Sequence, residues 1–224
     1  MISNDPFPAL VSASSVGVRF GATQILHDVD LDVAAGSHLA LSGRSGSGKT
    51  TLLLVLAGLL PPSQGAVAWP GLAQDLATRR GQIGMVFQAP SLMPELTALQ
   101  NVTLPLRLRG TDRHSAEAAA LASLGHVAAA DLADALPPQL SGGQQQRIAI
   151  ARALAGSHRL VFADEPTGAL DRAHAHEAAL ALRDGVAATG GALVLATHDP
   201  ELAELFDQQL AVVDGTIRRS VRSR

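Results

Sequence analysis

The sequence has no cysteine, few aromatic residues, no long apolar run and no excess of basic charge. Without cysteine there is no disulfide framework and no thiolate zinc site. Aromatic residues make up 3% against 47% hydrophobic residues overall, so the core has to be aliphatic, built from Ala, Leu and Val. The most apolar run, "LLLVLAGLL" from Leu52 to Leu60, is closed by Pro61 and Pro62. It falls far short of the roughly 20 residues of a membrane-spanning helix. The formal net charge of −3 argues against a dedicated nucleic-acid binder, which carries a basic footprint. "MISNDPFPAL" at the start has neither the basic nor the apolar region of a secretory signal. These absences predict a soluble, cytoplasmic chain. The terminal "RRSVRSR" reads as a solvated basic tail rather than a lipid-binding segment.

Its 224 residues suit one large domain or two small ones. Residues 1–41 read as strands. In "ILHDVDLDV" the apolar Ile25, Val29, Leu31 and Val33 alternate with polar residues at period two. The acids Asp28, Asp30 and Asp32 look superficially like a calcium loop. However, Val33 stands where that loop needs Gly and Leu39 where it needs Glu, so they are read as the solvent face of a strand. "HLALSG" is a short buried strand entering a Gly-rich turn, followed by a helix to about Leu59. "GQIGMVFQ", "HRLVFADE", "GALVLATHD" and "QLAVVDG" are further apolar strands with helical stretches between them. This alternation predicts an α/β fold with a mostly parallel sheet. From about Ala89 to Gln139 the pattern changes to Ala- and Leu-rich sequence punctuated by Pro90, Pro94, Pro105, Pro137 and Pro138, read as a helical insertion.

"GRSGSGKT", Gly43 to Thr50, matches G-x-x-x-x-G-K-[ST] between a strand and a helix. Gly46 and Gly48 let the backbone wrap closely around phosphate. Lys49 puts a compact charge on the β/γ oxygens, and the Thr50 hydroxyl ligates Mg²⁺. "LVFADE" ends an apolar strand in Asp164 and Glu165. That end is the carboxyl edge of the sheet, where open α/β folds bind ligands. Asp164 is placed there to hold Mg²⁺ through water and Glu165 to polarise the attacking water. Gln88 and His198 also end apolar strands and face the same edge. A second anion-binding pattern lies at "LSGGQQQR", Leu140 to Arg147. A serine and two glycines precede a run of helix formers, as at a helix N-terminus built to receive negative charge.

The order "GRSGSGKT", Gln88, "LSGGQQQR", "LVFADE", "GALD", "THD" resembles the ATP-binding cassette family over essentially the whole chain. The resemblance implies a P-loop NTPase fold: a mostly parallel sheet with flanking helices, an N-terminal antiparallel β portion and an inserted α-helical subdomain. It implies one nucleotide-binding domain over 1–224. About 1–88 and 158–224 would be the catalytic core, and about 89–157 the helical subdomain with the signature. ATP would be bound by Gly43, Ser45, Gly46, Ser47, Gly48, Lys49, Thr50 and Thr51, with Phe20 stacking on adenine. Thr50, Gln88 and Asp164 would serve Mg²⁺. Glu165, His198 and Gln88 would be catalytic, with Gln88 and His198 reading the γ-phosphate. Asp171 would lie at the dimer seam. Two phosphate sites in one chain make sense if two copies dimerise head to tail, so that Ser141, Gly142, Gly143 and Gln144 of one copy close over ATP held by the other. The expected partners are therefore a second copy and a transmembrane permease, with the chain peripheral on the inner face of the cell membrane and no nucleic acid bound.

"FQAPSLMPELTALQNVTLPL" and "ADEPTGALD" are similar to the cassettes of lipoprotein-release, macrolide-export and related resistance systems, and cell-division complexes share the style. The implied function is an ATPase subunit driving a permease that exports or extracts a substrate. The alternative is a regulatory cassette that moves a membrane partner without transport. There are departures. The Lys49–Gln88 segment is short, Gln100 replaces a common acid, and Gly168 stands where Ser is common. None removes a catalytic group. DNA-repair cassettes carry coiled-coil or zinc insertions, translation cassettes come in pairs, and guanine-specific GTPases carry N-K-x-D, and none of these is present. Most of Leu92, Met93, Leu96, Leu99 and Val102 are expected to pack the insertion's own small core, while Pro90 and Pro94 leave an apolar edge that receives a short helix of the permease. His174 and His176 are spaced badly for a metal, and His114, His126 and His158 read as surface residues.

Overall fold

The computed structural model describes residues 9–219, so the first eight residues and the end of "RRSVRSR" lie outside the described residues. Its centre is a six-stranded sheet in the order β5-β6-β7-β3-β8-β9. The strands are β3 (His38–Ser42), β5 (Ile83–Val86), β6 (Leu160–Asp164), β7 (Ala192–Thr197), β8 (Gln208–Val213) and β9 (Thr216–Arg219). The first five run parallel and only β9 is antiparallel. β6 and β7 are buried from end to end, as parallel strands covered on both faces must be. Their alternate side chains feed two cores. Val161, Ala163, Leu193 and Leu195 face one, while Leu160, Phe162, Val194 and Ala196 face the other.

The second core is closed by a three-stranded antiparallel sheet, ordered β2-β1-β4, of β1 (Ala9–Phe20), β2 (Thr23–Ala34) and β4 (Gln64–Ala68). Helix α1 (Lys49–Leu56) runs between the two sheets, which explains its apolar run: Leu52, Leu53, Val55 and Leu56 are all buried. Burying each stabilises the fold by about 1.5–3 kcal/mol. The first core is closed by helices. α3 (Ala98–Leu108), α4 (Arg113–His126) and α5 (Gly142–Ala155) pack on one another, and α5 also touches α6 (Arg172–Ala188). Two short helices, α2 (Leu76–Gln82) and α7 (Pro200–Ala203), complete the set.

Three expectations are corrected. The helix after the P-loop stops at Leu56 rather than Leu59. The period-two stripe of β2 fails at its start, because Leu26 is buried while Ile25 is only half-buried. The cause is an extra residue: Val16 pairs Val29 and Val18 pairs Leu26, so β2 advances three residues while β1 advances two. Asp28 takes a φ of 46° there, and the displaced His27 N–H bonds Gly215 O at 2.8 Å. Finally, His158 is not a surface residue. It packs against Gly84 and Gly156, with Nδ1 3.0 Å from Gly81 O.

Candidate active site

Because β3, β5, β6 and β7 are parallel, the segments that follow them open on one edge of the sheet. That edge holds a cavity of about 850 Å³. Gly43, Ser45, Gly46 and Gly48 from the loop after β3 and Lys49, Thr50 and Thr51 from the start of α1 line it, with Gln88, Glu165 and His198 from beyond the other strand ends. Ser47 does not reach the cavity, and its buried Oγ has no partner. The loop's shape depends on glycine. Gly46 has a φ of 78° and Gly48 a φ of 107°, and a Cβ at Gly48 would stand 2.8 Å from Leu26 Cδ2.

Lys49 is only 6% exposed. Its Nζ donates to Gly43 O at 2.7 Å and Arg44 O at 3.3 Å, and lies 3.5 Å from Glu165 Oε1. The other carboxylate oxygen, Oε2, is 2.9 Å from His198 Nδ1. Glu165 thus stands between an ammonium and an imidazole. Its backbone is held in the left-handed region, φ 45°, by its own N–H on Ala196 O at 3.0 Å and by Gly168 N–H on its carbonyl at 3.1 Å. For a residue with a Cβ that conformation costs roughly 1–2 kcal/mol, a cost found typically at functional sites.

Asp164 is buried beneath them. Burial raises its pKa above the ordinary carboxylate range and the Glu165 charge adds to the rise, while a hydrogen bond from Thr50 and the Lys49 charge oppose it. Its Oδ1 has no partner. A buried carboxylate oxygen with a free lone pair, beside a hydroxyl residue that lines a polar cavity, fits a hard divalent cation such as Mg²⁺. Uncovered Asp164 charge is unfavourable here, and a cation removes that cost.

The remaining candidates lie elsewhere. Phe20 is 54% exposed near the β1–β2 turn, outside the cavity lining. Ser141, Gly142, Gly143 and Gln144 are also outside it. They form the start of α5, where Ser141 Oγ accepts from Gln144 N–H at 3.2 Å and Gln144 Oε1 accepts from Ser141 N–H at 2.8 Å. Gly143 packs so closely on Leu170 that a Cβ would meet Leu170 Cδ2 at 2.8 Å. Asp171 caps α6, its Oδ1 accepting from His174 N–H at 3.1 Å, and it is exposed. Ile25, Arg44 and Pro200 line the cavity without having been singled out. Arg44 fills a variable place inside the P-loop motif. Ile25 arrives through the irregularity in β2, which periodicity could not show.

Residues 26–168 match the family described as ABC transporter. The chain belongs to that family. The cassette is 43% identical over 203 residues to the lipoprotein-releasing system ATP-binding protein LolD of Shewanella oneidensis, covering 88% of both chains. It is 41% identical to that of Bordetella pertussis over 226 residues, 96% of this chain and 97% of the relative. Among solved structures it resembles a dimeric ATP-binding cassette in a post-hydrolysis state with ADP and Pi, at TM-score 0.85 and 34% identity, covering 96% of this chain and 99% of that one. This cassette is the ATP-binding and ATP-hydrolysing subunit of an ABC transporter, with ATP as substrate and Mg²⁺ as its companion ion. Its sheet and helix arrangement is that of a P-loop NTPase. No helix among the described residues is long and apolar enough to cross a membrane.

Proposed function

We propose that the cassette works as a head-to-tail homodimer that drives the release of lipoprotein by a membrane permease, peripheral to the inner face of that membrane. The observation that carries the dimer is the separation of its two phosphate-binding elements. The start of α5 lies outside the cavity that Gly43–Thr51 builds, and the N–H groups of Gly142 and Gly143 have no partner among the described residues. A second copy brings Ser141, Gly142, Gly143 and Gln144 to the phosphate that the first copy holds, with Asp171 at the seam. Lipoprotein as cargo rests on the LolD relatives.

Within one site, Gly43, Ser45, Gly46 and Gly48 cradle the phosphates by backbone and hydroxyl groups, Thr51 adds its hydroxyl, and Phe20 stacks on adenine. Thr50, Gln88 and Asp164 would hold Mg²⁺, which would neutralise phosphate charge. Lys49 Nζ is held by two main-chain carbonyls and lies against Glu165. Phosphate oxygens draw the ammonium away, leaving Glu165 as a free base for the attacking water. His198 keeps that carboxylate aimed, and Gln88 and His198 sense the γ-phosphate. Residues 1–88 and 158–224 act as the catalytic core and 89–157 as the helical module.

Mixing two inactive variants tests the composite site. Lys49→Ala spoils the P-loop and Ser141→Arg blocks the signature, so each homodimer lacks an intact site. A mixed dimer has one site spoiled twice and one whole. ATPase activity returns in part on mixing. If no activity returns, the nucleotide site is complete within one chain and the dimer reading is wrong.

A further inference from the structure

The segment from Phe87 to Thr97, which carries Gln88, has no regular secondary structure. Such a segment would move freely unless held. Its side-chain anchors among the described residues all come from helices α3 and α5, and none comes from the central sheet. From α5, fully buried Gln146 donates through Nε2 to Phe87 O at 3.2 Å, just before Gln88. Arg152, three turns from the start of the same helix, donates a fork of two bonds, Nη2 to Pro90 O and Nη1 to Ser91 O, both at 2.9 Å, just after Gln88. From α3, buried Asn101 accepts from Met93 N–H at 2.8 Å and donates to Met93 O and Leu96 O at 3.1 and 2.9 Å.

Neither α5 residue is explained by stability alone. Gln146 leaves its buried Oε1 without a partner, a cost that a leucine in the same place would not incur. What glutamine adds is the bond to Phe87 O. Burial lowers the Arg152 pKa from the ordinary arginine value, as for a guanidinium drawn out of water, and its two carbonyl partners are main-chain groups that no other bond satisfies. Both side chains therefore put their polar ends on the backbone that brackets Gln88 and its neighbour Ala89.

We propose that Gln146 and Arg152 are positioning residues that tie Gln88 rigidly to α5, so that the group sensing phosphate in one site and the signature tip serving the other move as one body. The proposal rests on the reading of Gln88 as a phosphate sensor. Its physical content is a tether: two side chains of one helix, α5, grip the segment on both sides of Gln88.

The lack of cysteine makes the tether measurable. Ala89→Cys, next to Gln88 and exposed, takes a single nitroxide label whose spectrum reports the mobility of the segment. Arg152→Met keeps the length of the side chain and removes the fork, while Arg152→Lys keeps the charge and removes only the two-bond geometry. With unfolding temperatures close to that of the parent, the label becomes mobile in Arg152→Met. In unlabelled protein, kcat falls about 10- to 100-fold, the scale of a misplaced catalytic group, while KM for ATP moves little. Gln88→Ala gives a similar loss, and adding Arg152→Met to it costs nothing further, because the arginine acts through the glutamine. If Arg152→Met does not fold, Arg152→Lys decides with the same readouts. An immobile label, or losses that multiply in the double variant, overturns the tether. A Gln88→Ala variant of normal kcat instead removes the sensor reading, and the label spectrum still decides whether the segment is tied to α5.

Discussion

At the scale of the residue, His158 shows how local packing creates a titration the sequence does not announce. Burial lowers its pKa to about 4, and the Arg109 charge adds to this against the opposing bond to Gly81 O. In the unfolded chain the imidazole takes up its proton near 6.5. Between these values the unfolded state binds the extra proton, so stability is full above about pH 6.5 and declines as the pH falls toward 4. The slope is up to about 1.4 kcal/mol per pH unit for one proton. Denaturant unfolding from pH 7.5 to 4.5 measures it. His158→Gln does not titrate and flattens the curve by about one proton. His38, whose pKa burial also lowers, supplies a residual slope of the same sign. An unchanged curve in the glutamine variant would place the titration on another group. Nothing in "GSHRL" marks that histidine as half-buried. Its surroundings, Gly84 and Gly156, become neighbours only when β5 meets the end of α5.

At the scale of the element, the segment after β5 carries the apolar edge expected to receive a helix of the permease. Met93 is 48% exposed and Phe87 37%, whereas Leu96 is half-buried and Val102 is fully buried within α3. Of the expected apolar edge, then, Met93 is the free part. Met93→Glu leaves ATP binding by the isolated cassette intact and weakens co-purification with the permease and stimulation by it. Normal binding and stimulation in that variant would put the docking surface elsewhere. Elements differ in how far their sequences reveal them. β3, β6 and β7 are legible because central parallel strands must be apolar throughout and end abruptly in Ser42, Asp164 and Thr197 at the edge that carries chemistry. β4, α2 and β9 escape notice. β4 has only Val67 half-buried, α2 buries no residue, and β9 is an edge strand, so none carries a periodic stripe. Gln100, standing where an acid is common, completes the cap of α3: its Oε1 accepts from Thr97 N–H at 2.9 Å.

At the scale of the whole molecule, the parallel sheet brings together residues more than a hundred positions apart, and the motifs made that gathering legible in advance. Separation of Lys49 from the signature was legible as well, but only through resemblance to a family. Glu165→Gln preserves shape and hydrogen bonding and removes the base. Its ATP hydrolysis falls by roughly 10²–10⁴. With ATP it sediments at twice the 23.0 kDa of one chain, and with ADP it returns to one. Turnover near that of the parent would mean that another group takes the proton.

The chain has one tryptophan and no tyrosine. Trp69 Nε1 donates to Leu56 O at 2.9 Å, and the Arg79 guanidinium lies 4.5 Å from its ring. Its indole is thus attached to the far end of the helix whose first residue is Lys49. Tryptophan light from this protein comes from a single place, the end of α1 opposite the phosphates, so a nucleotide that shifts the helix writes an optical signal with no other emitter to obscure it.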